Sequence, residues 1–464
     1  MYKKSHIHFV GINGIGMSGI AKILHAQGHS ISGCDLALEM NNVQELITDG
    51  CNISYSHNTT ACNDASIDTF VYSSDVSYDS PELIAARNRG IKTVQRAVIL
   101  AEIMRPKFSI GVAGSHGKTT TSSMISHILT QAQVDPTVIV GGVMNNSHSN
   151  SRYGQGKYTV AETDESDKSL LLLPVCLAVL TNIDFEHVNV YKNLSEVSDV
   201  FTTYLNKVPF YGKAIVCLDD KNIQTILPNL TCNIITYGTT NQAHIQAINI
   251  QLTSDDASFD IIDTRCNLHI GHIKLPMPSI YNVLNATAAI ATCLEIELSF
   301  KTIKQALESF LGVDRRFTLK GIIAEKNISI YDDYGHHPTE IHHSLITARR
   351  KCKNNLIVVF QPQRYSRTFH LWNEFIQTFK NSDITHLILT DIYGASETPI
   401  ENISGEQLAL EIKTIAPHIQ VDYIAYANDL QEIKNKVLSI AVPHDLILLL
   451  GAGKVNKLAQ KLLL

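Results

Sequence analysis

The clearest chemistry in the chain belongs to a lysine set between glycines and threonines. Residues 111 to 121 read Gly-Val-Ala-Gly-Ser-His-Gly-Lys-Thr-Thr-Thr, after the apolar stretch Phe108 to Val112 and before a helical pattern through Met124, Ile125, Ile128 and Leu129. The order strand, glycine loop, helix turns backbone N–H groups and a helix N-terminus toward a polyphosphate. In that setting Gly114, Ser115, His116, Gly117 and Thr120 form the loop, Lys118 reaches terminal phosphate oxygens and the Thr119 hydroxyl ligates Mg2+. ATP is therefore the expected cofactor. The general phosphate loop carries Gly five positions before Gly117, where this chain has Val112, so the motif is the shorter Gly114-x-x-Gly117-Lys118-Thr119.

Two acidic stretches follow strand-like segments of the same region. Glu162-Thr163-Asp164-Glu165-Ser166-Asp167 comes after Tyr158 to Ala161, and Thr181-Asn182-Ile183-Asp184-Phe185-Glu186-His187 after Leu177 to Leu180. Carboxylates at neighbouring strand ends supply the oxygen ligands Mg2+ prefers, with His187 as a less usual ligand. A solvated helix start explains the first run equally well. Further on, Gln361-Pro362-Gln363-Arg364-Tyr365-Ser366-Arg367 follows the strand Leu356 to Phe360. Guanidinium groups offer paired planar donors, so Arg364 and Arg367 suit a carboxylate clamp.

These residues need a scaffold, and the pattern predicts an α/β chain with three nucleotide-fold segments. The first opens with the strand His6 to Val10 and Gly14, Gly16 and Gly19 in GxGxxG spacing, then a helix, then Ser30 to Cys34 ending at Asp35, which suits a ribose or base. Alone, that unit suggests a dinucleotide site. Ser73 and Ser74 sit in a turn after Thr69 to Val71, either another loop at the sheet edge or a helix cap before Pro81. Strand-like stretches also recur at Val138 to Val140 and Ala214 to Leu218, which suits a parallel sheet with crossover helices, and residues 231 to 275 look β-rich. Asn282 to Asn285 opens an alanine-rich helix, where Asn fits a cap. The last segment holds Arg315-Arg316-Phe317, the strand Ile328 to Tyr331, the polar run Asp332 to Glu340, and Gly451-Ala452-Gly453-Lys454, a structural turn because no Ser or Thr follows the lysine. His336, His337, His342 and His343 read as solvated or phosphate-facing and not as metal ligands.

The totals set bounds. A chain of 464 residues with 44% hydrophobic and 18% charged residues is expected to form roughly two to four soluble domains. A formal charge of -6 disfavours broad binding to nucleic acid or anionic membranes. Nine scattered cysteines without CxxC pairing suggest neither a disulfide framework nor a zinc site and fit the cytoplasm. No signal peptide is expected, and the longest apolar run, Leu170 to Leu180, is broken by Pro174 and too short to span a bilayer.

Taken together, the phosphate loop, the two acidic motifs, Asn282 to Asn285, Arg315-Arg316-Phe317, Asp332 to Glu340 and Gln361 to Arg367 resemble, in order, the Mur ligase family along essentially the whole chain. The resemblance implies a UDP-sugar domain over 1–105, a central ATPase domain over 106–314 and a C-terminal Rossmann-like domain over 315–464. It turns the first glycine motif into a UDP-sugar site, with Asn13, Gly14, Gly16, Met17, Asp35, Ser73 and Ser74 as contacts. It also implies ATP and Mg2+ as cofactors and UDP-N-acetylmuramate and L-alanine as substrates, joined through an acyl phosphate on the lactyl carboxylate. By the same resemblance Thr119 and Glu162 hold one Mg2+ and His187 a second. Arg316 and His336 meet the phosphates on closure, Asn282, Asn285, Asp333 and Tyr334 contact the adenosine, and Arg364 and Arg367 take the alanine carboxylate.

The chain departs from the family pattern at Cys34, Ser115, Thr163, Asn189, Tyr281 and Gln363, and the changes at Asn189 and Gln363 bear on substrate contacts. The competing functions are a related ligase that joins a preformed tripeptide to the same UDP-sugar, a nicotinamide dehydrogenase and a nucleotide switch without catalysis. Glu165-Ser166-Asp167 favours the alanine reaction over the tripeptide one. Oligomeric state is not legible in the sequence.

Overall fold

The computed structural model describes residues 3–36, 41–55, 64–73, 75–395 and 397–464. Three sheets follow one another along the chain, the α/β architecture the patterning predicts. The first joins β1 (His6–Val10), β2 (Ser30–Cys34), β3 (Asn52–Ser54), β4 (Ile67–Tyr72) and β5 (Lys92–Gln95) in the order β3-β2-β1-β4-β5, all parallel. The order reverses direction at β1, so the glycine turn after β1 opens at a crevice, where ligands of open α/β sheets bind.

The second sheet contains β6 (Phe108–Ala113), β7 (Thr137–Met144), β8 (Ser149–Arg152), β9 (Tyr158–Glu162), β10 (Leu177–Leu180), β11 (Lys213–Cys217), β12 (Ile234–Gly238), β13 (Ile245–Leu252), β14 (Ala257–Asp263) and β15 (Leu268–Leu275). Their order is β15-β14-β13-β12-β11-β10-β6-β9-β7-β8. Strand β6, which delivers the phosphate loop, lies between β10 and β9, and those strands deliver the two acidic runs. Strand order thus gathers three distant motifs at one sheet edge. The β-rich stretch is an antiparallel extension, β13 to β15.

The third sheet runs β16-β17-β21-β18-β19-β20, from β16 (Thr318–Ile323), β17 (Ile328–Asp333), β18 (Leu356–Phe360), β19 (His386–Leu389), β20 (Gln420–Tyr423) and β21 (Leu446–Leu450). Only β16 is antiparallel to its neighbour among the described strands. The central strands LIVVF and LILLL are fully buried, as strands covered on both faces must be. No helix among the described residues is long and apolar enough to cross a membrane.

Candidate active site

The phosphate loop bends where only glycine fits. Gly117 has φ +81, and a Cβ there would lie 2.6 Å from Asn285 Oδ1. The helix Lys118–Gln131 starts directly after it. Lys118 Nζ folds across the loop, donating to Gly114 O at 2.5 Å, Ser115 O at 3.1 Å and Glu165 Oε1 at 2.9 Å. Burial disfavours the ammonium, but Glu165, Asp164 and Glu162 outweigh it and push its pKa up. The lysine is held charged across the loop.

Two groups of candidate metal ligands adjoin it. Thr119 Oγ1 donates to Glu162 Oε2 at 2.9 Å, a hydroxyl and a carboxylate side by side. Asp164, Glu165 and His187 present ligand atoms within 4.8 Å of one another, and His187 Nε2 lies 3.2 Å from Glu165 Oε1. All of these groups but Glu165 line one cavity. The His187 backbone is left-handed, with φ +55. Few carboxylates with a hydroxyl and open space for phosphate and water match the oxygen-rich, partly hydrated shell of Mg2+.

The third sheet reaches the same place through one helix. Pro338–Lys351 begins with Pro at its first turn and a capping box of His337 and Glu340, and ends on Arg349, Arg350 and Lys351, which complement the helix dipole. The capping glutamate does more than cap. Glu340 Oε1 lies 3.4 Å from His116 Nδ1 and 3.6 Å from Arg316 Nη1, and Oε2 lies 3.6 Å from His336 Nδ1. Its carboxyl, although buried, is held well below the usual range by His336, His116 and Arg316. Thr339 Oγ1 donates to Asp184 Oδ2 at 2.8 Å, and the same oxygen lies 3.1 Å from His116 Nε2. The C-terminal helix is thereby tied to the phosphate loop and to the second acidic run.

Several expectations need correction. His337 is not solvated: it is 4% exposed, accepts the Thr339 N–H, and lies 3.7 Å from Asp184, whereas His342 is exposed. Asn282 is no cap, because the helix Ile280–Glu295 starts earlier, after Ser279. A cavity of about 440 Å3 runs beside the loop and is lined by Thr120, Tyr281, Asn282, Asn285, Arg316 and Asp333 among others. Tyr334 does not reach it: the ring sits 4.9 and 5.3 Å from the Arg315 and Arg316 guanidinium carbons and lines a second cavity of about 510 Å3. Asp333 accepts the Phe317 and Gly335 N–H groups, so its role includes fixing this turn.

That second cavity links the first sheet to the phosphate site, with Gly16, Arg96, Thr119, Glu162, Asp164 and His187 in its walls. Met17 does not face it, since the side chain is 2% exposed in the core. Asp35 Oδ2 accepts the Asn13 N–H at 2.9 Å, so both help hold the glycine turn. Gly14 starts the helix Ile15–Ala26 as its N-cap. Ser73 N donates to Val10 O at 3.3 Å, and Ser74 lies outside the described residues. The helix that begins at Pro81 has Ser80 at its N-cap position without a side-chain cap hydrogen bond, so the turn at Ser73 is not its cap. Gly451 and Gly453 accept from Arg315, and Lys454 N donates to Gln361 Oε1, so the last glycine turn is structural.

Arg364 and Arg367 border a third cavity of about 240 Å3 together with Glu186, His187 and Asn189. Each already faces an acid, Arg364 at 3.4 Å from Glu397 and Arg367 at 3.8 Å from Glu186. Gln363 Oε1 accepts from Arg367, and Asn189 Nδ2 donates to Glu397 at 3.1 Å, which gives both departures a part in setting the arginines. Tyr281 packs against His343 with ring centroids 3.5 Å apart and planes tilted by 34° at the wall of the first cavity.

Residue reading alone misses four members of the site: Arg96, Glu165, Asp184 and Glu340. The last three lie inside acidic or polar runs whose spacing marks no individual, and Arg96 has only its place at a helix start.

The chain matches three family models in succession: "Mur ligase family, catalytic domain" over residues 6–108, "Mur ligase middle domain" over 112–293 and "Mur ligase, glutamate ligase domain" over 315–453. It is 43% identical to a UDP-N-acetylmuramate--L-alanine ligase of Geobacter sp. (strain M21), over 100% of this chain and 98% of the relative. A solved UDP-N-acetylmuramate-alanine ligase of Thermotoga maritima is similar with a TM-score of 0.82 at 25% identity, covering 98% of both chains. A murein peptide ligase of Psychrobacter arcticus shares the fold, with a TM-score of 0.73 at 24% identity over 99% of this chain and 98% of that one. With three models in order on three sheets and a full-length relative at this identity, the chain belongs to the Mur ligase family.

Proposed function

We propose that this protein is an ATP-dependent ligase that joins L-alanine to the lactyl carboxylate of UDP-N-acetylmuramate, giving UDP-N-acetylmuramoyl-L-alanine, ADP and phosphate in peptidoglycan synthesis. The observation that carries this reading is the full-length similarity to ligases of that name, met by a site in which a charged phosphate-loop lysine and an arginine-lined cavity share His187 as a neighbour.

A carboxylate does not acylate an amine at neutral pH, so one of its oxygens must become part of a leaving group. Phosphoryl transfer from ATP does this, and its catalysis is largely positioning and charge neutralisation. Lys118 and the loop N–H groups hold the terminal phosphates, and Arg316 approaches from the C-terminal side. Thr119 with Glu162, and His187 with Asp164 and Glu165, would hold Mg2+, which when bound neutralises phosphate charge. The cavity lined by Asn282, Asn285 and Asp333 suits the nucleoside. The 510 Å3 cavity at Gly16 suits the sugar and its lactyl carboxylate, next to the loop. Arg364 and Arg367 orient the amino acid so that its amine attacks the acyl phosphate and phosphate departs. We place the domains at 1–105, 106–314 and 315–464, and the enzyme in the cytoplasm, where ATP and nucleotide sugars are made.

The test is purified protein with ATP, Mg2+, UDP-N-acetylmuramate and each amino acid in turn, read by product mass. L-alanine is expected to give the ligated product. More efficient use of L-Ala-γ-D-Glu-meso-diaminopimelate than of L-alanine would reverse the substrate assignment.

A further inference from the structure

A free amino acid carries opposite charges on one α-carbon, so a site that selects it needs an anion close to its guanidinium. Three acids reach the cavity at Arg364 and Arg367: Asp75, Asp167 and Glu186. Asp75 and Asp167 are exposed, and Asp167 already accepts the Ser169 N–H at 2.9 Å. Glu186 is different. It is 7% exposed, and its Oε1 is buried without a hydrogen-bond partner among the described residues.

The basic side chains beside that carboxylate stand too far off to satisfy it. Arg367 Nη2 is 3.8 Å from Oε1, and His187 Nε2 is 3.8 Å from Oε2, both beyond hydrogen-bond range. A buried carboxylate oxygen without a donor is costly to keep, and Glu186 is a wall of this cavity, from which a ligand would bring one. The neighbouring His187 contacts Glu165 at 3.2 Å, and Glu165 holds Lys118, so a ligand at Glu186 stands close to the phosphate site.

We propose that Glu186 receives the α-ammonium group of the incoming amino acid while Arg367 takes its carboxylate. This inference rests on the reading of the chain as an amino-acid ligase. Arg364 faces Glu397, whereas Arg367, which donates through Nη1 to Gln363, turns Nη2 toward Glu186 at 3.8 Å. A guanidinium and a carboxylate this near each other match the two head groups of a single amino acid. In a tripeptide the nearest carboxylate lies a residue away from the amine, so Glu186 also contributes selection for the free amino acid.

The experiment compares wild type and Glu186→Gln in steady-state ligation, with L-lactate as a competitor that has the shape of alanine without its ammonium. Failure of the wild type to join any amino acid would overturn the ligase reading itself. With wild-type ligation in hand, Glu186→Gln is expected to raise KM for L-alanine roughly 10- to 100-fold. KM for ATP and UDP-N-acetylmuramate and the inhibition constant of L-lactate should change little, because none of them involves the ammonium. An unchanged KM for L-alanine overturns the proposal, and so does a parallel rise of all four constants, which marks a structural role. If Glu186→Gln does not fold, Glu186→Asp keeps the charge but draws it back. That variant should still show a raised alanine KM with normal ATP use, and a wild-type alanine KM in it overturns the proposal.

Discussion

At the scale of single residues, charge is the organising quantity of this site. His116 is buried, which disfavours its cation, yet hydrogen bonds to Asp184 and Glu340 more than offset burial and raise its pKa to about 10. Its neighbour His337, with ring centroids 4.8 Å away, is pushed down by burial and by the His116 charge. The pair is therefore one cation and one neutral ring. Imidazole NMR should show no titration of His116 across about pH 6 to 8, where an ordinary histidine changes charge. The sign for stability follows from linkage: the folded pKa lies above the unfolded one, so this contribution is complete below about pH 6.5 and is lost as pH rises toward 10. The difference in thermal midpoint between wild type and His116→Gln should narrow over that range; a difference that stays constant with pH would exclude a charged His116. In the proposed reaction Lys118 serves the phosphates of ATP. Lys118→Ala should lower turnover roughly 10²- to 10³-fold, since a charge-stabilising donor is lost. UDP-sugar binding, measured calorimetrically, should persist, and near-normal turnover would remove Lys118 from the phosphate site.

At the scale of elements, the first glycine motif has a use that its spacing does not reveal. A Cβ at Gly16 would lie 2.2 Å from Arg96 Nη1, and Arg96 Nη2 is 3.5 Å from Asp164. The glycine leaves room for the Arg96 side chain against the helix Ile15–Ala26, and the arginine bridges to the central acidic run. Gly16→Ala should displace the flexible end of Arg96, not the backbone. We expect a several-fold rise in KM for UDP-N-acetylmuramate on the scale of one weakened charge-assisted contact, with thermal stability nearly unchanged. A large loss of stability with a normal KM would show that Gly16 matters for packing only. The strands were legible where burial makes continuous apolar runs: Leu356 to Phe360 has the same limits in sequence and structure. The antiparallel β13 to β15 read only as β-rich, because the alternating exposure of each strand does not encode which neighbour it pairs with. Asn282 read as a cap because Asn favours caps, yet Ser279 precedes it and the helix starts a turn early. Glu165 was hidden in a run of acids that would look the same fully solvated; only the order of β6 and β9 puts it beneath Lys118. Glu340 carried a helix-start signature that conceals its contacts with His116 and Arg316.

At the scale of the whole molecule, the site exists only where the central and C-terminal parts meet. The chain passes between them at Arg315-Arg316-Phe317, with left-handed backbone at Arg315, φ 59, and Phe317, φ 50. The strained turn is held by Arg315 on Asp332 and by Phe317 stacked on Tyr331 at 4.7 Å. Across the seam, Asp184 accepts from Thr339 and lies within ion-pair distance of His116 and His337. His116 and Asp184 belong to the central part and Thr339 and His337 to the other, so Asp184 is the joint where loop, acidic run and C-terminal helix converge. Replacing it by Asn keeps the shape and removes the charge that balances His116. The docked arrangement should weaken by about 1 kcal/mol, the low end for losing a hydrogen-bonded charge, because the Asp184 side chain is 34% exposed and partly screened by solvent. Both sheets keep their own cores, so the expected consequence is a hinge-like opening and not unfolding. Small-angle scattering of ligand-free Asp184→Asn should give a larger radius of gyration than wild type, with unchanged circular dichroism. KM for ATP should rise, because nucleotide binding must then draw the C-terminal part back against the loop before Arg316 reaches the phosphates. Excess nucleotide should reverse the expansion. If the variant scatters like wild type and binds ATP normally, Asp184 does not hold the seam, and the contacts of Glu340 with His116 and Arg316 suffice to close it.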